Sequence, residues 1–127
     1  LGTDYLFVTN YRQLSLGTSG PPFAKASQVM KWTEEHSPVP VIGLNPFNVS
    51  DGCMLSVGVS PFEQGEVTAT MAEEIIENKV SRYYEIVDNK QFVVSMRKAA
   101  MTKRGITIPD VYEAFSRATN SYYEEDK

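Results

Sequence analysis

Three short segments place a hydrogen-bonding side chain next to or near an aromatic ring: Thr9-Asn10-Tyr11, Asn45-Pro46-Phe47 and Ser60-Pro61-Phe62. A few polar groups beside flat apolar surface is the composition of a small-molecule cleft, where the ring contributes contact area and the polar atoms fix orientation. Each residue also has a purely structural reading. Asn10 and Asn45 suit turns, because asparagine tolerates left-handed backbone and bonds its own chain locally. Ser60 suits a helix N-cap, and Tyr11 and Phe47 suit a core. Only their joint placement favours ligand contact.

The residues for catalysis are sparse. His36 is the single histidine, and it falls at the end of a predicted helix with no nucleophile or carboxylate pair indicated nearby, which suits a surface position. Cys53 is the single cysteine, so no intrachain disulfide can form; with no basic cluster beside it, it reads as a small core residue rather than a nucleophile. Glu73-Glu74 and Glu124-Glu125-Asp126 read as solvated charge, since no His or carboxylate recurs at metal-ligand spacing. Neither a phosphate-binding loop nor a dinucleotide fingerprint is present. The expectation is a non-catalytic protein without cofactor or metal.

The elements that would carry the three segments alternate. Tyr5 to Thr9 reads as a short strand and Phe23 to His36 as a helix, with Phe23, Ala26, Met30 and Thr33 at helical spacing. Pro38-Val39-Pro40 ends that helix, Val41 to Leu44 is a second strand and Cys53 to Val59 a third. Ser60-Pro61-Phe62-Glu63 is the clearest helix start. Ser60 can cap the Glu63 amide, Glu63 can reach back to the Ser60 amide, and Pro61 fills the first helical position, where no donor is needed. That helix is predicted to run to about Glu77 with Val67, Met71 and Ile75 on one stripe beside Ala72 and Ile76. Gln91 to Met96 reads as a strand, and Arg97 to Arg104 as a short helix closed by Gly105. Asp110 to about Tyr122 reads as a last helix, opened by a capping box and packing Ala114, Phe115, Ala118 and Tyr122. Alternation of this kind predicts an α/β, Rossmann-like fold with a mainly parallel sheet flanked by helices. In such a sheet the loops after the strands, where all three segments lie, collect the ligand.

At 127 residues, 42% hydrophobic and 22% charged, the chain is expected to form a single α/β unit spanning 1–127. A formal net charge of −4 lacks the basic footprint of a nucleic-acid binder, so no nucleic-acid partner is expected. The sequence contains no apolar run of membrane-spanning length, and Leu1-Gly2-Thr3-Asp4 leads directly into a strand, which suggests a piece of a longer chain.

The segment from Asp51 to Gly65 resembles one in the ABC-transporter substrate-binding family typified by tryptophan- and tyrosine-uptake proteins. Phe92 to Ala100 followed by Gly105-Ile106-Thr107-Ile108-Pro109 is similar to the family's terminal strand, short helix and close. Asp4 to Asn10 is similar to its strand ending in ligand-contacting polar residues. The resemblance, in order along nearly the whole chain, implies part of a type I periplasmic-binding fold, in which two Rossmann-like lobes close on a solute. This chain would be the C-terminal fragment, roughly the last two-fifths. Carried over by position, the ligand-binding residues would be Thr9, Asn10, Tyr11, Asn45, Phe47, Ser60 and Phe62. Family members that bind aromatic amino acids tend to carry acidic residues where Asn45-Pro46 and Ser60 stand here, which favours a neutral or anionic solute as much as a zwitterion.

The resemblance implies extracytoplasmic, in bacteria periplasmic, binding of a small-molecule solute and delivery to a membrane permease. The alternative is a ligand-sensing domain with a membrane signalling partner, since one fold serves many uses. A fragment lacking its other half is expected to leave the Val67, Met71 and Ile75 face partly uncovered and to associate as a homo-oligomer, which light scattering tests.

Overall fold

The computed structural model describes residues 2, 4–15, 17, 23–77 and 86–125. Its contacts divide the chain into two compact units, Leu1–Gly58 together with Val93–Lys127, and Val59–Phe92. The elements are β1 (Leu6–Val8), α1 (Ala26–His36), β2 (Val41–Gly43), α2 (Pro46–Ser50), β3 (Leu55–Val59), α3 (Pro61–Ile76), β4 (Phe92–Arg97), α4 (Lys98–Lys103), α5 (Asp110–Ala118) and β5 (Tyr122–Tyr123). The fold is α/β as expected, with a five-stranded sheet in the order β1-β2-β3-β4-β5.

In the first unit β1, β2 and β3 pair in parallel, Leu6 with Val41 and Ile42 with Leu55, as strands joined through helices must. β4 and β5 are also parallel, Met96 with Tyr122. The last residue of β4 bonds just ahead of β3, Arg97 N–H to Met54 O at 2.9 Å, so at that one seam the neighbouring strands run in opposite senses. Two apolar clusters hold this unit. One joins Tyr11, Met30, Val41, Val49 and Cys53, so that α1 and α2 cover the β1–β2 pair. The other joins Met54, Val94, Met96, Ala100 and Met101 under α4. Cys53 is fully buried, with its Sγ 3.3 Å from the carbonyls of Val41 and Leu55, and burial pushes its thiol up to about 11. It is a core residue.

Several boundaries differ from expectation for local physical reasons. α2 was not foreseen: Pro46 and Asn45 read as a loop, yet Pro46 occupies the first helical turn, where it lacks no needed donor. α5 stops at Ala118 because Asn120 takes a left-handed backbone (φ 57°) and turns the chain, which places Tyr122 on β5 rather than on the helix. Pro109 is the residue ahead of α5, and Asp110 makes no cap there. The expected α5 face is also displaced. Ser116 is fully buried, whereas Phe115 is 39% exposed and Ala114 and Ala118 are exposed.

In the second unit α3 starts where predicted. The Ser60 hydroxyl accepts the Glu63 amide at 3.3 Å. The other half of the expected box is not formed, because the Glu63 carboxylate instead accepts the amides of Lys90 and Gln91 and the side-chain amide of Asn89. These donors hold the Glu63 carboxyl below the usual glutamate range. Ser60 itself donates its amide to Gln91 O. Replacing Ser60 by alanine should cost about 1 kcal/mol of stability in a denaturant titration, the usual loss of a serine cap. The Val67–Met71–Ile75 stripe is only partly covered. Val67 and Met71 are half-buried, while Ile75 and Ile76 are 54% and 78% exposed.

Candidate ligand-contact site

β1 and β2 end side by side at Val8 and Gly43, and the Leu44 amide extends their pairing to Val8 O at 3.1 Å. The next residues on each strand are therefore neighbours, although 36 positions apart: Asn45 Nδ2 donates to Thr9 O at 3.2 Å. The Asn45 amide donates to Asn48 Oδ1 at 2.8 Å, which ties the strand end to the first turn of α2. Asn48 is fully buried against Gly43, where an added Cβ would stand 2.4 Å from the Asn48 Cβ. Gly58 on β3 brings the third strand close in the same way, since a Cβ there would stand 2.9 Å from Leu44 O.

The chain after β1 folds back onto α2. Asn10 Oδ1 accepts the Arg12 amide at 3.0 Å, the local turn expected of an isolated asparagine. That turn sends Tyr11 inward. Its ring is buried 6.4 Å from Phe47, and its hydroxyl donates to Asp51 Oδ2 at 2.5 Å. Burial, followed by the bond to Asp51, pushes the Tyr11 phenol well above its ordinary range, so it remains a neutral donor. Arg12 lies over the Phe47 ring, 4.4 Å from its centre, and reaches Asp51 Oδ2 at 3.3 Å.

Five of the seven expected contact residues thus converge at the carboxyl ends of β1 and β2: Thr9 and Asn10 exposed, Asn45 and Phe47 half-buried, and Tyr11 buried as their support. Ser60 and Phe62 belong to the Val59–Phe92 unit. Ser60 is buried in its cap, and Phe62 is 80% exposed. Arg12 and Asp51 were not singled out, and no local signal marks them: they meet across 39 residues only because α2 returns the chain to β1. Among the described residues no group of three or more His, Cys, Asp or Glu able to hold a metal occurs. His36 lies on the surface, stacked on Trp32 at 4.4 Å. No helix among the described residues is long and apolar enough to cross a membrane.

A parallel α/β sheet with polar and aromatic groups gathered after its strands is a small-molecule-binding architecture. Residues 22–119 match the family described as ABC transporter substrate binding protein, and the chain belongs to that family. A solved structure of a conserved domain protein from Vibrio cholerae O1 biovar El Tor str. N16961 is similar in fold, with a TM-score of 0.53 and 19% identity over 78% of this chain. The chain spans 40% of that structure's length. No curated protein matches it.

Proposed function

We propose that this chain is the C-terminal part of a two-lobed, extracytoplasmic protein that binds a small solute and presents it to the permease of an ABC transporter. The observation that carries this reading is the convergence of Thr9, Asn45 and Phe47 at the carboxyl ends of two adjacent parallel strands in a member of the substrate-binding family. The proposed contacts are Thr9, Asn10, Asn45 and Phe47, with Tyr11 holding Phe47 in place. Ser60 serves as a cap first, and Phe62 is exposed on its own unit. The ring and amide groups suit a solute with a flat apolar body and a polar edge. The only carboxylate described at this end, Asp51, is engaged by Tyr11 and Arg12, which leaves a ligand ammonium without an obvious partner and favours a neutral or anionic solute. The exposed stripe of α3 supports self-association of the chain when it is produced alone.

Mass spectrometry of small molecules released from the natively purified full-length protein tests the reading and reports the chemistry of the solute. With that solute in hand, the Asn45→Ala/Phe47→Ala double variant should bind at least about 1 kcal/mol more weakly, the value of one hydrogen bond or one aromatic contact. A folded double variant with unchanged affinity would remove these residues from the site.

A further inference from the structure

The turn at Asn10 that sends Tyr11 inward leaves Arg12 on the outside: its amide donates to Asn10 Oδ1 at 3.0 Å, and its side chain is 51% exposed. Two contacts limit where the guanidinium can go. It lies over the Phe47 ring, 4.4 Å from the centre, and its Nη2 donates to Asp51 Oδ2 at 3.3 Å.

The contact with Asp51 is loose, since charge-assisted bonds from arginine to carboxylate run at about 2.7 to 2.9 Å and an ion pair open to water contributes little. Asp51 Oδ2 is already taken at 2.5 Å by the Tyr11 hydroxyl, whose raised phenol keeps its proton. One carboxylate oxygen thus serves two donors, Tyr11 closely and Arg12 at a distance. Arg12 and Asp51 together carry no net charge, so the place is distinguished by unused donors rather than by excess charge. A guanidinium has five N–H groups in a fixed fork, and one bond to Nη2 uses one of them. Either the Nε–Nη2 edge or the Nη1–Nη2 edge therefore remains as a complete pair of donors, the geometry that matches a carboxylate or phosphate. Asp51 and Phe47 restrain that fork in advance, which lowers the ordering cost of using it.

We propose that Arg12 is a further ligand contact and that the solute presents an oxyanion to it, a carboxylate or a phosphate. The inference rests on the strand-end solute site and narrows its ligand from neutral or anionic to anionic. Thr9 and Asn10, exposed on the same turn, stand next to it in the chain. A chain of formal charge −4 offers anions no general attraction, so a local fork has to hold one.

Solutes released from the natively purified full-length protein, identified by mass spectrometry, and calorimetric titration of the compound found and of its uncharged methyl ester provide the test. The compound should carry a carboxylate or a phosphate group, which its mass and fragments tell apart. Arg12→Gln should weaken the acid about tenfold while the ester binds parent and variant alike. Arg12→Lys, which keeps the charge without the fork, should fall between them. A compound with no acidic group would overturn the proposal and leave the solute site standing. So would wild-type affinity of a folded Arg12→Gln variant for the acid, or an equal loss for acid and ester, which would make Arg12 only a brace for Phe47. A full-length protein that releases no solute would instead count against the solute site itself, and this inference would fall with it.

Discussion

Arg104→Met is expected to lower the unfolding free energy by about 2 to 3 kcal/mol, somewhat less than the cost of leaving one member of a fully buried ion pair alone. The Arg104 and Glu34 side chains are 15% and 12% exposed, and between them they join the end of α4 to the end of α1. Glu34 also accepts the Met54 amide at 3.3 Å, at the entry to β3. Burial already holds the Glu34 carboxyl above its ordinary range, against the opposing pull of Arg104. A carboxyl raised on folding favours the native state while protonated and loses that advantage as pH rises through its folded value. The variant should therefore recover part of the loss on mild acidification, where Glu34 takes up its proton. Urea titrations at neutral and mildly acidic pH measure both effects. Replacing Glu34 by leucine in the same chain should restore much of the stability, because no lone charge then remains. A single variant as stable as the parent would show that α1 and α4 do not depend on this pair.

Gly43→Ala is expected to destabilise by about 1 to 3 kcal/mol and to weaken solute binding in the full-length protein. The added methyl would lie 2.4 Å from the Asn48 Cβ and 2.7 Å from its Oδ1, and Asn48 is fully buried, so it has nowhere to swing. Moving Asn48 releases the Asn45 amide, and with it the bond from Asn45 to Thr9 O. The effects on stability and on the site are thus linked through one side chain. Gly65 on α3 is the internal comparison: a methyl there meets nothing within 4 Å, and Gly65→Ala should stabilise by about 0.5 to 1 kcal/mol through better helix propensity. Denaturant midpoints at unchanged slope separate the two outcomes. Equal behaviour of the two variants would mean that Asn48 is free to yield.

Much of the fold was legible because its signals are local. Val41 to Leu44 is a short apolar run closed by Asn-Pro, and Ser60-Pro61 opens α3 with one serine hydroxyl and one missing donor. Gly105 closes α4 with a left-handed backbone (φ 65°) that glycine adopts without strain. The placement of Thr9, Asn10, Asn45 and Phe47 after strands follows from the same alternation, and the family was readable from the order of its segments. Other features depend on partners far away in the chain. Tyr122 fits an extension of α5 until β4 offers it a strand partner at Met96, and Glu63 fits a capping box until Lys90 and Gln91 present two amides to it. Tyr11 is buried with its hydroxyl bound because Asp51, forty residues on, takes it. By itself the sequence determined the alternation of elements, the helix starts and the family, since propensity, capping and hydrophobic period act within a few residues. The tertiary structure alone decided which polar groups are already satisfied and which remain open. A buried donor takes whatever acceptor packing brings within reach, and that choice is not written in its neighbours.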